Sequence, residues 1–167
     1  MSPALSPTSS PSSSGIGPER LWASPVGSDL PFVLARANAL SLAGTHESLV
    51  PFGLKVRSYS VLAIVSADTR PTQRELSEFL RLDPSQIVAL VDELESRELV
   101  RRETDPSDRR AKVIVATDAG RALCAEARVA AREAEHGTFD ALTLDERERL
   151  SDMLRLLATA PARPLAD

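Results

Sequence analysis

From Leu30 onward the chain sets apolar clusters between short polar breaks, and the spacing inside the clusters is helical. Phe32, Val33, Ala35, Ala37, Leu40, Leu42 and Leu49 predict a first helix that ends before Pro51 and Gly53. Lys55 to about Val65 predicts a second, with Val61, Leu62, Ile64 and Val65 largely buried. Ala67-Asp68-Thr69-Arg70-Pro71 reads as a turn. Thr72-Gln73-Arg74-Glu75 has the capping-box pattern, a hydroxyl at the cap and a carboxylate three residues on, and Leu76, Phe79 and Leu80 follow at helical spacing. A short third helix results. Arg81-Leu82 is a tight turn. Asp83 then caps a fourth helix, Pro84 fits its first turn, and Gln86 holds the box position. Ile87, Leu90, Val91 and Leu94 fall at i, i+3, i+4 and i+7, a single apolar stripe.

The period then changes. Leu99-Val100 and Val113-Ile114-Val115 are short β-type runs on either side of a polar segment, Arg101 to Arg110, broken by Asp105-Pro106-Ser107-Asp108. Two strands joined by a charged loop account for them. Thr117 caps a long Ala-rich helix reaching about His136, and Thr143-Leu144-Asp145-Glu146 is a further capping box. Leu150, Met153, Leu154 and Leu157 give the last helix its apolar stripe. The order is helix, helix, helix–tight turn–helix, hairpin, long helix, helix, with no repeat of solenoid length. The expected fold class is mainly α with a small β-hairpin wing, a winged helix-turn-helix flanked by N- and C-terminal helices.

Length and composition bound this picture. With 167 residues one domain is expected, and 43% hydrophobic residues suffice for a core. Aromatics are 4%, so that core is Leu, Val, Ala and Ile. One cysteine, Cys124, cannot form an intrachain disulfide, which suits a reducing compartment. No apolar run approaches the roughly 18 residues of a membrane span, and no basic-then-apolar leader opens the chain, so a cytoplasmic protein without a membrane partner is expected. Of the first 18 residues, seven are Ser and four are Pro, so residues 1–18 read as a disordered tail. Residues 19–29 read as a docking segment, with Trp22 on a helical turn against the core. Residues 30–160 form the domain, with the winged unit at about 55–116 and flanking helices at about 30–50 and 117–160. Residues 161–167 are a second tail.

Charge at first points away from nucleic acid, because the formal net charge is −4. Resolved along the chain it does not. From Arg97 to Lys112 there are six positive and four negative residues, a local excess of two. The N-terminal end of helix 83–97 suits a major groove roughly 12 Å wide. Pro84, Ser85, Gln86, Val88 and Ala89 lie outside or at the edge of its apolar stripe, where base edges and phosphates would be met. Thr72 and Gln73, at the start of the third helix, and Asp108, Arg109, Arg110 and Lys112, in wing 101–115, complete the candidate DNA-contact set. A hairpin-tip arginine suits a narrow minor groove, with Asp105 and Asp108 paired to neighbouring arginines to hold them in one geometry. A solvated charged turn is the alternative for this segment taken alone.

Leu76 through Gly120 resembles the MarR family of bacterial winged-helix regulators. The matching motifs are Leu90-Val91-Asp92-Glu93-Leu94-Glu95 with Leu99-Val100, then Asp105-Pro106-Ser107-Asp108-Arg109-Arg110, then Ala116-Thr117-Asp118-Ala119-Gly120. The wing motif is the most specific, and with flanking helices the similarity covers about 30–160. The resemblance implies a homodimer built from the first, fifth and sixth helices. It implies a pseudo-palindromic operator in double-stranded DNA and a role as a repressor. It assigns base and phosphate contact to Ser85, Gln86 and Ala89, and minor-groove insertion to Arg110 with Asp108 orienting it. The family usually carries a larger polar or basic side chain where Ala89 stands, which implies thinner readout from this helix.

Relatives released by small effectors imply a further partner. The first helix has no cysteine of the peroxide-sensing kind, and Cys124 reads as a small core residue. With only His46 and His136, a zinc site lacks ligands, so no metal and no cofactor are expected. Trp22 suits the urate-sensing branch, but 55–65 lacks its acid. A small anionic or aromatic ligand remains, with His46, Arg57 and Tyr59 as candidate contacts or else as ordinary surface and core residues. Two other classes compete with the regulator: a winged-helix module that pairs only with protein, and an enzyme's dimerisation domain. The enzyme is disfavoured, since no Gly-rich cofactor loop and no nucleophile, base and orienter can be assembled.

Overall fold

The computed structural model describes residues 18–160, so the tail expected at 1–17 and that at 161–167 lie outside the described residues. Two compact units are distinguished, the boundary falling after Ala39, inside the first helix.

In the first unit, two 3-10 turns, Pro18–Ala23 and Pro25–Ser28, lead into helix α1, Leu30–Leu49. Pro18, assigned above to the tail, therefore opens the first of them. Within this unit Trp22 is packed on one side only. It is 48% exposed, its ring stands edge-on to Phe32 at 6.4 Å, and the Arg36 guanidinium lies 5.4 Å over its face. A cation over an indole face keeps this ring in place without full burial.

The second unit contains the remaining elements: α2 (Val56–Val65), α3 (Gln73–Leu80), α4 (Pro84–Ser96), β1 (Val100–Thr104), β2 (Lys112–Ala116), α5 (Asp118–Thr138) and α6 (Leu144–Thr159). The helix starts follow the caps in the sequence. Thr72 and Glu75, and again Thr143 and Glu146, form complete capping boxes, while Asp83 accepts from the Ser85 backbone N–H and Thr117 from that of Gly120. Between α1 and α2 a single 3-10 turn, Val50–Phe52, closes on Gly53, whose φ of 61° is the left-handed region that glycine enters freely.

The core of this unit lies where α2, α4, the hairpin and α5 meet. Leu49, Val61, Leu62, Leu76, Ile87, Val91, Leu94 and Ile114 are essentially inaccessible to water. Each such aliphatic side chain contributes about 1.5–3 kcal/mol relative to exposure. The α4 stripe is buried as its period requires, with Leu90 at its margin. Phe79 departs from expectation: it is 76% exposed, and Leu76 and Leu80 alone turn inward from α3. An eight-residue helix touching its neighbours along one edge leaves the i+3 position outside.

The hairpin is antiparallel, pairing Val100 with Ala116 and Thr104 with Lys112. Its first strand takes in Arg101 to Thr104, which the sequence assigned to the connecting loop. Backbone groups make the ladder, and an edge strand accepts charged side chains that find partners beside it. Ile114 also donates to the Pro71 carbonyl at 2.8 Å, and Thr72 bridges to Val113, so the start of α3 is bound to the hairpin. Gly120 explains its place in the Thr117-Asp118-Ala119-Gly120 motif: a Cβ there would lie 1.9 Å from the Leu99 carbonyl oxygen. Only glycine lets α5 start this close to the hairpin's base. Among the described residues no single helix is long and apolar enough to cross a membrane.

Candidate nucleic-acid interface

Helix α4 offers solvent the face opposite its stripe. Pro84, Ser85, Gln86, Val88 and Ala89 are all exposed. The face is chemically sparse, with one amide and one hydroxyl among apolar groups. The Ser85 hydroxyl donates to Asp83 Oδ1, and that bond, with the Ser85 backbone N–H at 2.8 Å, holds the Asp83 carboxyl below its usual range.

One guanidinium braces this helix to the wing. Arg102 on β1 reaches Asp92 at 2.5 Å and pairs with Glu95, both on α4. Its backbone N–H donates to Glu95 at 3.0 Å, and its Nε donates to Gln73 Oε1 on α3 at 3.3 Å. Gln73 is thereby engaged within the protein. Thr72 is too, since its hydroxyl donates to Glu75 and accepts from the Glu75 backbone N–H. Beside this brace, Glu103 receives Arg101 at 2.7 Å and Arg70 at 2.9 Å, and those bonds lower its pKa.

The wing tip is built differently from expectation. Its carboxylates hold backbone, not guanidinium. Asp105 accepts from the hydroxyl and then the backbone N–H of Ser107, which lowers its pKa, and Asp108 accepts from the Arg110 backbone N–H at 2.9 Å. Ala111 N–H closes the turn on the Asp108 carbonyl at 2.9 Å. Arg109 and Arg110 are exposed and make no ion pair among the described residues. Lys112 donates to Thr104 Oγ1 at 2.8 Å. The neighbouring arginines 70, 101 and 102 are spent on carboxylates, so the local positive excess is concentrated at the tip.

The three effector candidates separate. His46, in the last turn of α1, and Arg57, on α2, are exposed and line no cavity with Tyr59. Tyr59 is half-buried and lines two cavities. One, of about 420 Å3, also involves Ser41, Thr45, Arg128, Arg132, Phe139 and the carboxylate of Glu135. The other, of about 380 Å3, involves Ser66, Arg121, Cys124 and Arg128. Burial raises the Tyr59 pKa, Cys124 and more weakly Glu135 add to this, and Arg128 and Arg132 oppose it. The sequence reading missed these α5 arginines. Their signal was spacing: positions 121, 128 and 132 lie on one face of an otherwise Ala-rich helix. Cys124 is buried in the core. Among the described residues no three His, Cys, Asp or Glu side chains are grouped to hold a metal ion.

A sequence profile described as MarR family matches residues 52–111. No curated protein matches the chain. Among solved structures, a MarR-family transcriptional regulator from Rhodococcus sp. RHA1 is 39% identical, with 81% of this chain and 97% of that one covered and a TM-score of 0.74. CouR from Rhodococcus jostii RHA1, in a structure bound to p-coumaroyl-CoA, is 38% identical, with 83% and 97% covered and a TM-score of 0.75. A mutant MarR from E. coli complexed with operator DNA is 22% identical, with 80% and 98% covered and a TM-score of 0.69, a likeness of fold.

Proposed function

Because this chain belongs to the MarR family of transcriptional regulators, we propose that it is a homodimeric repressor that binds double-stranded DNA at a pseudo-palindromic operator. The observation that carries this is the wing tip: two arginines that make no ion pair among the described residues, on a turn held by Asp105 and Asp108, in a hairpin that Arg102 braces to α4. Ser85, Gln86 and Ala89 face base edges and phosphates in the major groove, and Arg110 enters the minor groove. Lys112 adds a charge for the backbone of the duplex, while Thr72 and Gln73, engaged within the protein, hold the start of α3 against the wing. The role needs no chemical step, cofactor or metal, and belongs in the cytoplasm with the chromosome.

Dimerisation falls to the helices at 30–50 and 117–160. On α1, Leu30, Phe32, Leu34, Leu40 and Leu42 are exposed, and on α6 Leu144, Met153, Leu154, Leu156 and Leu157 are exposed. Apolar faces of this extent mark an interface.

The effector is an aromatic anion seated beside Tyr59, with Arg128 and Arg132 on its charge. The 38% identical relative bound to p-coumaroyl-CoA supports an aromatic acid or its thioester. The test is fluorescence anisotropy on the promoter of its own gene, with p-coumarate and p-coumaroyl-CoA added to the complex. Saturable binding at moderate salt, reversed by one of these compounds, is expected. An absence of binding at low salt would overturn the DNA reading. Binding that no aromatic acid or thioester reverses would overturn the effector reading alone.

A further inference from the structure

The end of α4 is fastened to the turn between α1 and α2 by one side chain, Arg97. Its Nη1 donates to the Gly53 carbonyl at 2.7 Å and its Nη2 to the Phe52 carbonyl at 3.0 Å, across 44 and 45 positions of sequence. Among the described residues no backbone N–H reaches either carbonyl, so the guanidinium supplies the donors that the turn lacks. The fit is close: a Cβ on Gly53 would lie 3.5 Å from Arg97 Nη2. Arg97 is exposed and opens the locally basic segment, yet it makes no ion pair among the described residues.

Both anchors of this clasp are held by their own hydrogen bonds. Arg97 is the C-cap of α4, and the chain leaves it through Glu98 at a φ of 57°. Glu98 N–H donates to the Glu95 carbonyl at 2.9 Å and Leu99 N–H to that of Leu94 at 3.0 Å, the paired bonds of a Schellman closure. A residue with a Cβ takes that left-handed φ at a cost, which the closure offsets. On the other side Gly53 N–H donates to the Val50 carbonyl at 2.9 Å and Leu54 N–H to that of Leu49 at 3.3 Å, and Leu49 and Leu54 are buried. The last turns of α1 and the residues after them thus form one piece, and α4 with the base of the hairpin forms another. A planar fork with two bonds between the pieces fixes direction as well as distance.

We propose that Arg97 is a positioning residue for operator recognition: by fixing α4 against the α1–α2 turn, it sets the half-site separation that the dimer accepts. The inference rests on the homodimeric DNA-binding reading above. With α1 carrying the dimer contact, the turn at residues 50–53 is the joint between that contact and the helix that reads bases. Two half-sites are engaged together only when the two copies of α4 stand about one helical turn of DNA, 34–36 Å, or a multiple of it, apart. A spacing they cannot span leaves one half-site engaged and forfeits about a hundredfold in affinity. Arg97 acts here without touching DNA, because its donors are directed at backbone carbonyls. A phosphate contact is the competing role for an exposed arginine in this segment, and salt dependence separates the two.

The test is fluorescence anisotropy of the full chain on the footprinted operator from the promoter of its own gene. The same duplex with one or two base pairs inserted or removed at its centre, and a duplex carrying a single half-site, complete the set. The parent is compared with Arg97→Lys, which keeps the charge without the fork, and with Arg97→Gln. The parent is expected to prefer the native spacing about a hundredfold. Both variants are expected to reduce that preference below about tenfold, with half-site affinity and the salt dependence on the native operator unchanged. Each preference is a ratio within one protein, so a smaller active fraction of a variant cancels from it. A slope of log affinity against log salt that falls by about one in Arg97→Gln and is kept in Arg97→Lys would make Arg97 a phosphate contact and overturn the inference. So would a spacing preference that either variant retains in full. A parent that binds the operator without any spacing preference overturns the inference and leaves DNA binding standing. A parent that binds none of the duplexes removes the DNA reading and the inference with it.

Discussion

Arg110 and Arg102 are eight residues apart in one charged segment, yet they have opposite roles. Arg102 is surrounded by Asp92, Glu95 and Gln73 and works inside the protein. Arg110 has its backbone fixed by Asp108, and its side chain makes no ion pair among the described residues. Substituting Arg110→Ala is therefore expected to leave folding and dimerisation unchanged while lowering operator affinity about tenfold to a hundredfold, the range for an arginine that reads a groove. Anisotropy with operator and scrambled duplexes checks this, and an unchanged operator affinity would remove the wing from the interface. Gly120 is a second residue whose neighbours decide its role. A methyl group there meets the Leu99 carbonyl, so Gly120→Ala is expected to cost about 1–3 kcal/mol, measured by urea unfolding. A neutral substitution would mean that α5 is free to shift away from the hairpin.

The elements are held at their starts as much as by their stripes. In both capping boxes a glutamate accepts from the cap residue's backbone N–H and then from its hydroxyl, and each bond lowers the carboxyl pKa in the folded chain. The unfolded chain, with glutamates near 4.3, takes up the protons first as pH falls. The stabilisation is thus fully present above about pH 4.3 and is lost as pH drops through the lower folded values. The melting temperature is expected to hold level down to about pH 5 and to fall below about 4.3. Glu146→Gln keeps a hydrogen-bonding side chain at the box position and removes the titration, so its melting curve is expected to depend less on acid than the parent's. Equal acid sensitivity would show that the box at α6 contributes nothing to the slope.

At the scale of the whole molecule, a net charge of −4 and several arginines already paired leave little for non-specific attraction to DNA. In the proposed homodimer, affinity then depends on two correctly spaced copies of α4 and the wing. Raising salt from 50 to 200 mM is expected to reduce operator affinity about a thousandfold, because six or more phosphate contacts release counterions. The exposed leucines of α6 give the complementary prediction. Leu154→Glu with Leu157→Glu is expected to yield a folded monomer by analytical ultracentrifugation, with operator binding lost. A dimer that persists in this double variant would place the interface elsewhere.

What the sequence determined by itself was the set of elements and their order. The start of α4 was legible in Asp83-Pro84-Ser85-Gln86, and its buried side in Ile87, Leu90, Val91 and Leu94, because caps and stripes are relations among residues a few positions apart. The exposed face of α4 followed by subtraction, as did the burial of Cys124 from its place on α5. Pairing was a different matter. That Arg101 and Arg102 belong to a strand, that Glu103 serves Arg70, and that Asp108 holds a backbone N–H depended on contacts that no local pattern specifies. Phe79 was assigned inward by helical spacing, and it remains exposed because α3 meets its neighbours along one edge. The Tyr59 cavities were the least legible feature, since they join residues of α2 to an arginine face of α5 some sixty positions later. Local periodicity sets which side of each helix is apolar. Only packing brings distant charges and an aromatic ring around the same volume.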